Sequence, residues 1–203
     1  MTRVLLILAF GLLAGLAGAR AEPMQRSAAE IMDILMWGRE PVGGPFALID
    51  QAGQPRTDED FRGRLMLVYF GFTYCPDICP ADLQNIGLAL DRLGDAGARV
   101  QPLFITVDPE RDTPQHLAEY LPMFHPRLVG LTGDPAAIRR AAEAYKVYYA
   151  KVPNQKGDNY TLDHTAFIYL MGADGGYLGF FPPGTSAERI AETVGRQLTA
   201  QSH

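Results

Sequence analysis

Leu65-Met-Leu-Val-Tyr-Phe70 is an almost unbroken apolar run, the pattern of a strand covered on both faces rather than one with a wet side. Val100 to Val107 is predicted as a second buried strand. Between them, Leu83, Ile86, Leu90 and Leu93 recur at helical spacing from Pro80 and stop at Gly94. Asp112-Thr-Pro114 and Asp134-Pro135 each open a helix with proline in its first turn. Thr165 to Met171 and Tyr177 to Phe181 read as strands on either side of the turn Gly172-Ala-Asp-Gly-Gly176. Ser186 to Leu198 closes the chain as an amphipathic helix, and Phe46 to Ile49 with the Gln51–Gln54 turn supplies a short strand at the front.

The predicted order is therefore strand, helix, strand, helix, helix, hairpin, helix. A parallel βαβ unit followed by an antiparallel hairpin and a last helix is the thioredoxin-like plan, an α/β fold with a central mixed sheet flanked by helices. Ahead of this domain (residues 45–203), residues 22–44 form an extension. In it Ser27-Ala-Ala-Glu30 matches a capping box, and Gly38 is a helix stop. Pro41-Val-Gly-Gly-Pro45 separates the helix from the domain. Ile31, Met32, Ile34, Leu35, Met36 and Trp37 crowd two turns with apolar side chains. Such a helix is expected to pack on the protein's own sheet, or else to rest on a membrane surface through residues 27–37.

Residues 1–21 change where the molecule is expected to work. Arg3 precedes an uncharged, mostly apolar run from Val4 to Ala19, and Ala19-Arg20-Ala21 is an A-x-A site. This is the pattern of a secretory signal peptide cut after Ala21; an uncleaved anchor is the alternative, although the run falls short of the ~20 residues of a span. Both place the domain outside the cytoplasm, in the periplasm or anchored facing it, where disulfides persist. The formal charge of −5 becomes −7 once Arg3 and Arg20 are removed. With no Lys/Arg block, the chain lacks the basic footprint that nucleic-acid binding needs.

The only cysteines of the 203 residues are Cys75 and Cys79, in Gly71-Phe-Thr-Tyr-Cys-Pro-Asp-Ile-Cys-Pro80. A structural disulfide there would close a very small ring, worth about 2 kcal/mol, so the pair reads as a redox or metal site. Pro76 and Pro80 favour a turn through the pair, with helix starting near Pro80. Both sulfurs then lie at the end of the first core strand and at a helix N-terminus, where the dipole favours thiolate. Of four histidines, His203 is terminal, His116 lies within a helix, and His125 follows Phe124 as a dipole partner at a helix end. His164, at the mouth of the Thr165–Met171 strand, is expected to face the cysteine loop. Two thiolates and one imidazole make a soft three-coordinate site that suits Cu(I) better than zinc. A thiol-disulfide oxidoreductase or peroxidase-like enzyme on the same fold remains the other reading.

Three separated motifs then carry a resemblance: Gly71 to Pro80 as quoted, Thr106-Val-Asp-Pro-Glu-Arg-Asp-Thr-Pro114, and Leu162-Asp-His-Thr165. In that order, over roughly residues 42–198, they resemble the Sco/SenC family. The resemblance implies a thioredoxin-like domain that binds copper, as Cu(I), Cu(II) or both, through Cys75, Cys79 and His164. It implies a part in assembling the dinuclear copper centre of cytochrome c oxidase, by delivering copper or by keeping the recipient cysteines reduced. Partners would then be the copper-centre subunit of the oxidase and a periplasmic copper donor. Many family members have histidine before the first cysteine, where this chain has Tyr74. Asp108, Glu110 and Asp112 match the family's acidic loop. They read equally as a docking surface or support for the metal, and as a solvated turn in which Asp112 caps a helix.

Overall fold

The computed structural model describes residues 27–153 and 160–200. The predicted signal segment, residues 1–21, and His203 lie outside the described residues. Elements run α1 (Ala28–Trp37), β1 (Ala47–Asp50), β2 (Pro55–Thr57), β3 (Leu65–Gly71), α2 (Ile78–Leu93), β4 (Val100–Thr106), α3 (Pro114–Tyr120), β5 (Val129–Thr132), α4 (Pro135–Ala144), β6 (Tyr149–Pro153), β7 (Tyr160–His164), β8 (Ile168–Met171), β9 (Tyr177–Phe181) and α5 (Ala187–Ala200).

Seven strands form one sheet in the order β2-β1-β5-β4-β3-β8-β9. Its centre is parallel: β3 pairs β4 from Leu65↔Val100 to Gly71↔Thr106, and β4 pairs β5. Both flanks are antiparallel, β8 and β9 on one side, β1 and β2 on the other. Every residue of β3 and β4 is buried, as the apolar runs require of strands that are neither at an edge nor open on one face. Helix α2 packs along α5, and α3 and α4 lie against β5 and β1. This is the thioredoxin-like α/β arrangement.

The structure differs from the sequence reading most at β5 and between Tyr149 and Met171, and it adds the short edge strand β2. A strand, β5, separates the two middle helices; its four residues, Val129-Gly-Leu-Thr132, are too few for a periodicity and are fixed only by pairing to β4 and β1. The predicted Thr165–Met171 strand begins at Ile168, and Tyr160–His164 is instead one arm of a separate two-stranded ribbon with β6. That ribbon is invisible to patterning because most of its residues are exposed or only half-buried.

The extension helix forms through the predicted capping box: Ser27 Oγ accepts the Glu30 N–H (3.2 Å) and Glu30 accepts the Ser27 N–H (2.7 Å). Gly38 ends it at φ 59°, a left-handed position suited to glycine. Ile31, Ile34 and Leu35 are buried, the helix lies on β9, and Tyr177 Oη donates to the Leu35 carbonyl. Packing on the protein's own sheet therefore uses one face. The other keeps Met32, Met36 and Trp37 exposed, at 37%, 58% and 70%. Among the described residues no helix is long and apolar enough to cross a membrane.

One close approach yields a prediction. Alanine normally exceeds glycine in a helix by up to ~1 kcal/mol. At Gly87 of α2, however, a Cβ would meet the Phe124 carbonyl oxygen at 2.6 Å. Gly87→Ala should therefore destabilise the protein, by about 1–3 kcal/mol, seen as a lower urea midpoint. A raised midpoint would mean that the Phe124 segment yields freely.

Candidate metal centre

Strand β3 delivers the chain to the site and a tight turn stops it there. Gly71 is its last residue, and the Cys75 N–H donates to the Phe72 carbonyl (3.2 Å). A side chain at Gly71 would sit 2.9 Å from the Tyr69 ring and 3.2 Å from Cys79 Sγ, so glycine lets the second sulfur lie against the strand end. Helix α2 starts at Ile78, two residues before Pro80. Pro80 is then in the first turn, where its missing N–H costs no hydrogen bond. Asp77 precedes the helix without capping it. Instead the Cys79 N–H points at Cys75 Sγ (3.4 Å), so a sulfur occupies the place of a capping oxygen.

His164 ends β7 and reaches the same point from the ribbon. Its Nε2 lies 3.3 Å from Cys79 Sγ, and its Nδ1 is 3.2 Å from the Thr165 carbonyl. A carbonyl only accepts, so Nδ1 carries a proton, and Nε2 is the ring nitrogen turned toward the sulfurs. Phe72 meets the ring edge-on at 5.7 Å. Both thiols are free, and the two sulfurs and the imidazole nitrogen lie within 4.8 Å of one another. Among the described residues this is the one cluster of such donors that could hold a metal ion. The structure thus brings Cys75, Cys79 and His164 together.

The two sulfurs are electrostatically unequal. Cys75 is partly exposed; hydrogen bonding from the Cys79 thiol, and next from His164 and the Asp77 and Cys79 N–H groups, brings its pKa down to about 4 against the cost of burial. Cys79 is fully buried, and its thiol's hydrogen bond to Cys75, together with burial, pushes its pKa far up. The pair therefore holds a thiolate outside and a thiol inside.

The acidic loop corrects one of its two readings. Asp112 does not cap α3; Thr113 does, accepting the His116 N–H. Asp112 is wholly buried, and accepts the Thr73 N–H (3.1 Å), the Thr73 hydroxyl (2.5 Å) and the Thr106 hydroxyl (2.6 Å). Asp108 is buried as well, and only Glu110 is solvated, against Lys151 (2.6 Å). His116 is partly packed, its ring stacked between Tyr74 and Tyr120 and its Nε2 2.8 Å from Thr73 Oγ1. His125 follows the helical turn Leu121–Met123, its N–H bonded back to the Leu121 carbonyl, while its Nδ1 accepts the Arg127 N–H and its Nε2 faces Asp91.

Several residues around the site escaped the sequence reading. Asp82, one turn beyond Cys79 on the same helix face, is buried; one oxygen accepts the Gly184 N–H (2.8 Å), the other has no partner, and burial raises its pKa. A charged residue at i+3 from a buried cysteine was a signal available in the sequence. Thr73 and Tyr160 had none, since their partners lie 39 and 52 residues away.

The SCO1/SenC family profile matches residues 36–199. The mitochondrial SCO2 homolog of Mus musculus is 42% identical over 204 residues, covering 98% of this chain and 79% of its own. The copper-bound structure of ScoI from Bradyrhizobium japonicum superposes with a TM-score of 0.72 at 45% identity, over 77% of this chain and 99% of that one. Copper-bound ScoI from Arabidopsis thaliana gives 0.74 at 39% identity, over 78% and 99%.

The asymmetry of the sulfurs predicts a pH profile for the reduced, metal-free protein. A depressed pKa means thiolate above it, so Cys75 should react with iodoacetamide at neutral pH and lose reactivity only as the pH falls through about 4. Cys79 should stay unmodified throughout. Mass mapping of the alkylated cysteine checks this; Cys79 labelling first would reverse the assignment.

Proposed function

Since the chain belongs to the SCO1/SenC family, we propose that it carries copper on Cys75, Cys79 and His164 for assembly of the dinuclear copper centre of cytochrome c oxidase. The observation that carries this reading is the convergence of two sulfurs and one imidazole nitrogen within 4.8 Å. The donor set is soft and three-coordinate, which favours Cu(I) and leaves zinc short of its usual fourth ligand. Copper here is cargo. With Cys79 sealed inside and Cys75 partly exposed, a partner's ligands reach the ion from the Cys75 side.

A second reading, reduction of disulfides in the oxidase's copper-binding subunit, is favoured by the lowered pKa of Cys75, since a thiolate is the attacking form. The same two sulfurs serve both, and a Cys75–Cys79 disulfide would have no thiolate left for copper. The place of work we propose is the periplasm. Support comes from the charged start, apolar run and A-x-A site of residues 1–21.

Reduced protein should bind one equivalent of Cu(I), and Cys75→Ser, Cys79→Ser and His164→Ala should each weaken it strongly, because three ligands leave no spare. Competition with a chromophoric Cu(I) chelator measures this. Unchanged affinity in His164→Ala would remove the histidine from the site. Retained disulfide reduction with no copper binding in the parent protein would favour the second reading.

The exposed edge of α1 adds a contact with the membrane. Met32, Met36 and Trp37 form an exposed apolar strip, and Trp suits the interface between lipid and water. Trp37 is the only tryptophan. Its emission should be red-shifted in buffer and move to the blue on adding lipid vesicles. No shift, with α1 still folded, would leave the strip without a lipid role.

A further inference from the structure

The ligands come from two elements that the main sheet does not hold in register with each other. Cys75 and Cys79 follow β3, whereas His164 ends a two-stranded ribbon that shares no ladder with the seven-stranded sheet. An isolated two-stranded ribbon is marginal in water, so something must fix where the imidazole stands. Apart from the buried Leu162, the side-chain bonds among the described residues that tie the ribbon's outer part down lead to one loop, residues 108–111.

Tyr160 Oη donates to Asp108 Oδ1 (2.6 Å), and Arg111 Nη1 donates to the Tyr160 carbonyl (3.1 Å). Arg111 also pairs with Asp108, and its guanidinium covers the Tyr160 ring at 4.0 Å. The same guanidinium also meets the cysteine loop, 4.7 Å from the Tyr74 ring and 5.9 Å from that of Phe72. One residue further, the buried Asp112 takes three hydrogen bonds, two of them from Thr73 in the turn that leads to Cys75.

We propose that the Asp108–Asp112 loop positions both arms of the metal centre, Asp112 gripping the cysteine turn through Thr73 and Asp108 with Arg111 gripping the histidine ribbon through Tyr160. These are positioning residues; none offers a ligand atom to the cluster. The loop spans the gap because β4 ends beside β3, with the Val107 N–H bonded to the Gly71 carbonyl (2.8 Å). Tyr74 is part of the grip, stacked on His116 and covered by Arg111, which gives a physical role to the position where many relatives were expected to carry histidine.

The proposal rests on the copper reading, and the test separates the two. Cu(I) affinity of the full chain is measured for the parent, Tyr160→Phe, His164→Ala and the double variant. Tyr160→Phe keeps the ring under Arg111 and removes only the hydroxyl's bonds to the loop, the short one to Asp108 and a long one (3.4 Å) to Glu110. Loss of one hydrogen bond to a charged acceptor should lower affinity on the order of tenfold, with copper X-ray absorption showing a diminished nitrogen contribution and unchanged sulfur. In the His164→Ala background the same change should alter affinity by no more than about twofold, because the arm it holds no longer carries a ligand. Arg111→Lys, which keeps the charge but cannot reproduce the forked contacts, should show the same dependence on His164. Equal losses in both backgrounds, or none in either, with His164→Ala itself weak, would overturn the clamp and leave the ligand set standing. A neutral His164→Ala would overturn the ligand set, and the clamp with it.

Discussion

The parallel pairing of β3 with β4 is the constraint from which the site follows. Seven residues on each strand are buried and in register, and the strands end together at Gly71 and Thr106. Whatever follows the two strands must emerge side by side at their carboxyl ends, where open α/β sheets place their ligands. One emerging segment is the cysteine turn and the other is the acidic loop. A one-residue slip would move Thr73, which follows β3, away from Asp112, which follows β4, and reverse which side chains face the core. The chemistry of the centre is thus inherited from a ladder of main-chain hydrogen bonds several residues below it.

Charge burial at this end of the molecule is handled by hydrogen bonds more than by ion pairs. Among the described residues Asp112 has no cation on it, and it is satisfied by one N–H and two hydroxyls. An unpaired buried carboxylate would be costly, and three donors offset that cost. Asp108 uses both a cation and a phenol, Arg111 and Tyr160. The same logic divides the two sulfurs: Cys75 has donors around it and some solvent, so it carries the charge, while Cys79 lies where a second negative charge would be unsupported. A cation bound between them would change that balance by supplying the missing positive charge.

The extension is more than a tether. Val42 is buried, the Gly43 N–H donates to the Ala144 carbonyl, and α1 seats three apolar residues against the body of the protein. The Pro-Gly stretch therefore redirects the chain along the domain surface instead of separating two independent parts. With one face of α1 spent on the sheet, its remaining apolar edge cannot be hidden internally, because residues at 32, 36 and 37 lie around the helix from 31, 34 and 35.

What the sequence determined by itself was local or periodic. The apolar runs of β3 and β4, the helical spacing of α2, the capping box of α1 and the proline-led starts of α3 and α4 are all readable within a few residues, because backbone sterics and capping act over that range. The cysteine pair and His164 were also legible as chemistry, since their residue types are scarce in this chain. Tertiary structure alone decided the rest. Strand β5 exists only through its neighbours, and the β6–β7 ribbon has no apolar face from which a pattern could be read. Asp112 looked like a helix cap because Thr113-Pro114 follows it, yet its partner Thr73 lies 39 residues upstream. Hydrogen bonds of that span depend on where the sheet register brings two loops together, and such a register is a property of the folded chain rather than of any segment of it.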